Sequence, residues 1–378
     1  MVYFHIGGHK TGTTYLQNLL WRNGAQLCHD GLLYPGRHKA SHIWANFDLR
    51  KASFFEYCAP QVEGAWGRLV EEIRDWRGSA IISQEMFSLA EPAHIRRALH
   101  DLGFADVHLV FTARDMARQL PSVWQEWVKN RSTITFAEFL AAVREPTDEA
   151  RRLMSGHNVP AILERWSAGV TADRIHLITV PPPNSRPGVL WERFAGVLGV
   201  EPDRYELDIR GTNKSLGAAE AAVLRRVNVA AADVLPWPDY NRLVKFGLAP
   251  AMAGLSSARI ALPEEAFKWA VEWASQAVEK LAGAGYQLVG DYDELIPRSR
   301  PTGADPDHIC AEEQASAAIA AVRLLLENQA APRSGGAGGR RSTDRSGAVP
   351  RVPVYITKIK RIARRLARFR HVLGARVT

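Results

Sequence analysis

Short apolar runs alternate with amphipathic stretches along most of the chain. Strands are predicted at Val2–Ile6, Gly31–Tyr34, Ser79–Ser83, Val107–Thr112 and Arg174–Val180, each a brief apolar run closed by polar, glycine or proline residues. Helices are predicted at Thr13–Trp21, Val62–Trp76, Pro92–Leu102, Ala117–Lys129, Pro187–Leu198, Leu216–Ala231 and Pro263–Ala284, where apolar residues return every three or four positions. Strand and helix in alternation indicate parallel βαβ units. The expected fold class is therefore α/β, a parallel sheet flanked by helices, with a mostly helical C-terminal part. Ligands of such sheets bind at the carboxyl ends of the strands.

The pattern changes after Pro301. Domain organisation is expected as a main domain over 1–300, an additional helix within 301–330, a Gly/Arg/Ser linker over 331–350 and a basic amphipathic helix over 351–378. Charge divides at the same place. Residues 331–378 hold thirteen Arg and Lys against Asp344 alone, a net +12; the whole chain is +8, so residues 1–330 carry −4. The basicity belongs to the tail. Cys28, Cys58 and Cys310 lie far apart, which gives neither a disulfide framework nor metal-ligand spacing; reduced thiols in a cytoplasm are expected. The start of the chain reads as a strand rather than a secretory leader, and no apolar run is long enough to span a bilayer.

The first strand runs into Gly7-Gly8-His9-Lys10-Thr11-Gly12-Thr13-Thr14 and then into a helix. Such a turn presents free amides and the positive end of a helix dipole, and glycine lets an anion approach the backbone. Lys10 adds full charge and the threonines add hydroxyl donors. Taken singly, the turn also reads as a Thr-capped helix start with an exposed lysine. The nucleoside-triphosphate loop has its lysine directly after the second glycine; here Lys10 precedes Gly12, which argues against a kinase or ATPase.

The Lys-Thr-Gly-Thr-Thr order, with His5-Ile6-Gly7 before it and Tyr15-Leu16-Gln17 after it, resembles the 5′-phosphosulfate loop of sulfotransferases that use 3′-phosphoadenosine 5′-phosphosulfate (PAPS), in the heparan-sulfate-type and bacterial form. The resemblance covers about residues 1–220, with a weaker echo to about 296. It implies a P-loop-like fold, PAPS as co-substrate with His9, Lys10, Thr11, Gly12, Thr13 and Thr14 at the 5′ end, and no metal. The family grips the 3′-phosphate with an arginine after a strand and a serine further along a helix. Arg114 and Ser122, eight positions apart, match that spacing. Arg210-Gly211-Thr212-Asn213-Lys214-Ser215-Leu216 loosely resembles the late loop that covers the nucleotide; it also reads as an Asn/Ser-capped helix start.

Lys10 is the catalytic cation on this reading, and the acceptor must lose its proton to a base. Two residues compete. His42 follows the first helix, where heparan-type members carry a catalytic Glu, and His38 lies close by. Glu85 follows the next strand, where cytosolic members place a catalytic His. The expected acceptor is a carbohydrate, glycolipid or other small molecule bearing a hydroxyl or amine.

The spacing of Ile356, Ile359, Ile362, Leu366, Phe369 and Leu373 among basic residues makes the tail a basic amphipathic helix. It fits peripheral contact with an anionic membrane, at the inner face for a cytoplasmic protein, and equally a solvated tail with no specific role. Nucleic acid is not expected, since no recognised binding fold accompanies the charge. Two other readings stand beside the enzyme: a P-loop kinase of small molecules, and a non-catalytic nucleotide-binding protein recruited to membranes by its tail.

Overall fold

Six parallel strands form one sheet in the order β2-β3-β1-β4-β5-β6. The structure is a computed structural model and describes residues 1–52, 59–145, 147, 154–208, 215–231, 234–255 and 257–330. The strands are β1 (Val2–His5), β2 (Leu32–Leu33), β3 (Ser79–Ser83), β4 (Val107–Ala113), β5 (Ile175–Thr179) and β6 (Gln287–Val289). The five anticipated from sequence are present, and the α/β class holds. β6, a half-exposed edge strand, follows no strong apolar run and escaped the pattern.

Side chains alternate across the sheet as a pleat requires. Val2, Phe4 and Ile6, with Ala80, Ile82, Leu109 and Phe111, enter one core layer. That layer is completed by α3 (Ser41–Arg50), α4 (Ala65–Arg74), α5 (Pro92–Asp101) and α8 (Val159–Ser167). Tyr3, Ile81, Val110 and Ile178 enter the opposite layer. There they meet α1 (Thr13–Arg22) and α9 (Val189–Leu198), with α2 (Gly24–His29) at the edge.

A third core cluster contains no strand. It joins α6 (Met116–Lys129), α7 (Phe136–Arg144), α10 (Ala218–Ala231), α11 (Glu264–Ala282) and α12 (Ala311–Ala330). A helical run of Trp237–Tyr240, a π-helical Asn241–Leu248 and Ala249–Met252 packs with them. α12 buries Ala317 and Ala321 in this cluster, and residues Met1–Ala330 form one compact unit. No described helix is long and apolar enough to cross a membrane. The linker 331–350, the amphipathic segment 351–378 and residues 210–214 of the late loop lie outside the described residues.

Strand order positions the site. From β1 the chain moves out to β2 and returns through β3 on one side, then continues through β4, β5 and β6 on the other. β1 is thus the switch point, and its carboxyl end opens on a crevice between β3 and β4. The loop after β1, Glu85 after β3 and Arg114 after β4 all border that crevice.

Candidate active site

A buried polar chain underlies the crevice. His5 Nδ1 lies 2.8 Å from Ser83 Oγ and its Nε2 3.4 Å from Thr112 Oγ1, so β3, β1 and β4 are cross-linked at their carboxyl ends. Thr112 Oγ1 is 2.7 Å from Thr11 Oγ1, and Thr11 donates onward to the Gly8 carbonyl at 2.6 Å. Burial pushes the His5 imidazole down to about 3, so it is neutral and serves as a hydrogen-bond relay. The Thr11 hydroxyl is turned inward; it shapes the loop and leaves the backbone to face a ligand.

Two contacts from the α6 side fix the loop's direction. Gln119 Nε2 donates to the His9 carbonyl at 2.6 Å and Arg114 Nη1 to the Lys10 carbonyl at 3.2 Å. In a trans peptide the N–H points opposite to its C=O. Pinning these two carbonyls therefore aims the amides of Lys10 and Thr11 away from α6. Lys10 itself is left-handed (φ 64), a conformation that costs a non-glycine residue energy and persists where surroundings enforce it. Gly12 follows with φ 89 and caps α1 without a side-chain hydrogen bond. The first amides of α1 with backbone acceptors among the described residues are those of Tyr15 and Leu16, both bonded to the Gly12 carbonyl. The helix start is thus an open set of donors. A Cβ on Gly12 would come 2.6 Å from Leu190 Cδ2, and one on Gly8 would come 2.9 Å from Thr11 Cγ2 and 3.2 Å from the Thr112 carbonyl. Thr13 is buried at the first helical position and Thr14 is exposed beside it.

Arg114 follows β4 and leans over this loop. Its Nε is buried with no hydrogen-bond partner. Burial and the neighbouring Arg118 push its guanidinium down to about 10, with Asp115 opposing them. Asp115 caps α6 through the Arg118 amide at 2.9 Å and pairs with the Arg118 side chain. The carboxylate next to Arg114 is therefore committed to Arg118. Ser122 lies two turns along the same helix, where its hydroxyl donates to the Arg118 carbonyl at 3.1 Å.

The two candidate bases fare differently. His42 is buried on α3, stacks on Tyr34 at 4.3 Å between centroids and uses both ring nitrogens. Nε2 lies 2.8 Å from the Pro35 carbonyl, and Nδ1 accepts the Ser83 amide at 3.2 Å. Burial pushes the ring down to about 4, with the Pro35 bond opposing it. His42 is neutral and fastens β3 to α3; neither nitrogen is left for an acceptor. His38 is exposed and turned to Trp44, with ring centroids 4.8 Å apart. Glu85 opens a 3-10 turn after β3 and receives Gln17 Nε2 on one oxygen at 2.9 Å. Its negative charge reaches His9.

Several partners escape sequence reasoning. Lys10 Nζ forms a 2.7 Å ion pair with Glu126 on α6, and Lys245 approaches the other oxygen of that carboxylate at 3.5 Å. Burial raises the Glu126 carboxyl, but Lys10, Lys245 and Lys129 outweigh it and hold it at about 2. His157 is buried 5.4 Å from the His9 ring, and its Nδ1 has no partner. Glu126 sits one turn after Ser122, and that position on the Ser122 helix was the available signal. Lys245 and His157 carried none, because the fold alone brings them here. Among the described residues, no group of three or more His, Cys, Asp or Glu side chains is arranged to hold a metal.

No family model and no curated protein matches the chain. Among solved structures it is similar to a sulfotransferase from Alicyclobacillus acidocaldarius, at 18% identity and a TM-score of 0.39, over 64% of this chain and 94% of that one. At that distance the likeness carries no argument about chemistry, and the functional reading rests on the residues of the crevice.

Proposed function

We propose that the chain is a sulfotransferase that moves the sulfuryl group of PAPS to a hydroxyl or amine. The observation that carries this reading is the pairing of two anion grips across β1 and β4. One is the uncapped start of α1 with Lys10. The other is Arg114, whose Nε is buried without a partner. A buried guanidinium whose neighbouring carboxylate, Asp115, is paired with Arg118 fits a terminal phosphate. Ser122 supplies a further donor if its hydroxyl leaves the Arg118 carbonyl. On this reading Arg114 and Ser122 hold the 3′-phosphate, and Lys10 with the backbone from Lys10 to Thr14 holds the 5′-phosphosulfate.

The chemistry is an in-line displacement. The acceptor oxygen bonds to sulfur while the bond from sulfur to the bridging oxygen breaks, and that electron pair leaves on the 5′-phosphate of adenosine 3′,5′-bisphosphate. Lys10 must exchange Glu126 for the bridging oxygen, where it offsets the growing charge. Glu85 takes the acceptor's proton; one of its oxygens is steadied by Gln17, which leaves the other for the acceptor. His42 holds β3, and hence Glu85, in place.

Calorimetric titration with adenosine 3′,5′-bisphosphate against ATP tests the reading. The bisphosphate is expected to bind at least tenfold more tightly; a preference for ATP would favour the kinase alternative and overturn the proposal. Acceptor class, cytoplasmic location and recruitment of the tail to an anionic membrane remain part of the proposal. Co-sedimentation with anionic vesicles, comparing the full chain with one ending at Ala330, tests the last; equal partitioning of the two removes it.

A further inference from the structure

α12 has two faces of different character. One buries Ala317 and Ala321 in the third core cluster, and beside it Arg226 on α10 donates to Gln314 Oε1 at 2.8 Å. The other turns large apolar side chains to solvent: Ile319 is 71% exposed, Val322 54% and Leu326 61%. Ala315 is exposed one turn before them. From Ala315 through Ile319 and Val322 to Leu326 the steps are four, three and four, the spacing of a seam between two helices. Exposed apolar residues such as Met1, Trp21 and Phe104 stand singly, as on any protein surface. Ile319, Val322 and Leu326 instead line up as neighbours along one helix.

The charges beside this stripe narrow the choice of partner. Glu312 and Glu313 lie in the first turn, and Arg323 pairs with Glu327 at 3.4 Å. Three acids against one base disfavour an anionic lipid surface. A second copy of α12 fits in one orientation. In a parallel pair the Glu312 and Glu313 side chains of both copies would crowd one end, and the two helix dipoles would align. In an antiparallel pair, with its two-fold axis level with Ala320 and Ala321, the two acidic turns lie about 25 Å apart along the axis and the dipoles oppose. Side-chain sizes match in that register. Ile319 meets Val322 of the second copy, and Leu326 meets the small Ala315.

We propose that α12 is the contact of an antiparallel homodimer, with Ala315, Ile319, Val322 and Leu326 as its seam. The contact lies on the helical cluster and does not depend on the sulfotransferase reading. A helix pair about 30 Å long sits at the lower end of specific interfaces, near roughly 1,200 Å² in total, so the dimer is reversible.

Sedimentation equilibrium of the full chain between about 1 and 100 µM tests this. A monomer–dimer equilibrium is expected. Ile319→Asp and Leu326→Asp should each weaken it at least tenfold and leave thermal unfolding unchanged, because both side chains are exposed in the single chain. Phe104→Ser, at an exposed apolar residue elsewhere, should leave the equilibrium as it is. Mild oxidation of Ala315→Cys chains mixed with Leu326→Cys chains should trap a disulfide-linked dimer. Wild-type chains should not be linked through Cys310, which is exposed next to the first residue of α12, since the register keeps its two copies about 30 Å apart. A chain that stays monomeric throughout, a dimer that both Asp variants leave intact, or linkage through Cys310 in place of the mixed pair overturns the proposal.

Discussion

The crevice has two halves built in different ways. The half proposed for the donor comes from the carboxyl ends of β1 and β4 and is knit by largely buried contacts: His5 with Ser83 and Thr112, Thr112 with Thr11, Gln119 with the His9 carbonyl. The rest of the site is assembled from elements distant in sequence, namely Glu85 after β3, Glu126 on α6 and Lys245 on the π-helical segment. One half is a loop held by buried hydrogen bonds. The other is a set of charges placed by the packing of helices. On the proposed function the first would hold the donor and the second would meet the acceptor.

The largest effects should separate the halves by kinetic signature. Glu85→Gln is expected to lower kcat by about 10²–10⁴-fold, with bisphosphate binding intact. Near wild-type turnover in Glu85→Gln removes Glu85 as the base. Lys10→Ala should lower kcat by about 10²–10³-fold. Steady-state transfer of labelled sulfate from PAPS reads both, and near wild-type turnover in Lys10→Ala would remove the donor half from the chemistry.

Changes that act through the fold are smaller. Gly12→Ala forces a side chain into a left-handed backbone and against Leu190, so it should cost about 1–3 kcal/mol of stability and weaken nucleotide binding together. His42→Gln should lose about 1–3 kcal/mol in denaturant unfolding while the pH–rate profile keeps its shape. The buried histidines also set a pH dependence. His5, His42 and His157 are held at about 3, 4 and 3, below their unfolded value of 6.5. The unfolded chain therefore binds more protons, and the stability they contribute is fully present above 6.5. It is lost as pH falls from about 6.5 towards 3, at up to about 1.4 kcal/mol per pH unit for each ring. Thermal unfolding between pH 7 and 4 checks this, and His42→Gln should flatten the slope.

Legibility follows the same division. The donor half is local: Lys10, Gly12 and Thr13 lie on one strand–loop–helix unit, and Arg114 and Ser122 on the next, so spacing alone assembles them. α3 shows why the other half was hidden. Ser41–Arg50 buries His42, Asn46 and Asp48 along with Ala45 and Leu49, so its inward face is polar and the apolar periodicity that announces a helix is broken. Those polar positions have reasons that only contacts reveal. Asp48 Oδ2 accepts the Trp66 amide at 3.1 Å near the start of α4, and His42 ties Pro35 to Ser83. α7 and α8 were missed although each carries a clear cap, Thr135 and Asn158, because both are short. Lys245 and Glu126 are over a hundred residues apart, and their pairing depends on tertiary packing.

The central claim is that the crevice holds two phosphates, one of them at Arg114. Calorimetric titration with adenosine 3′,5′-bisphosphate and with adenosine 5′-monophosphate, on wild type and Arg114→Ala, tests it most directly. The account predicts that wild type prefers the bisphosphate by about 10–100-fold, as expected for charge-assisted hydrogen bonds to the extra phosphate, and that Arg114→Ala binds the two nucleotides almost equally. Equal affinities in wild type, or a preference that survives in Arg114→Ala, would contradict it.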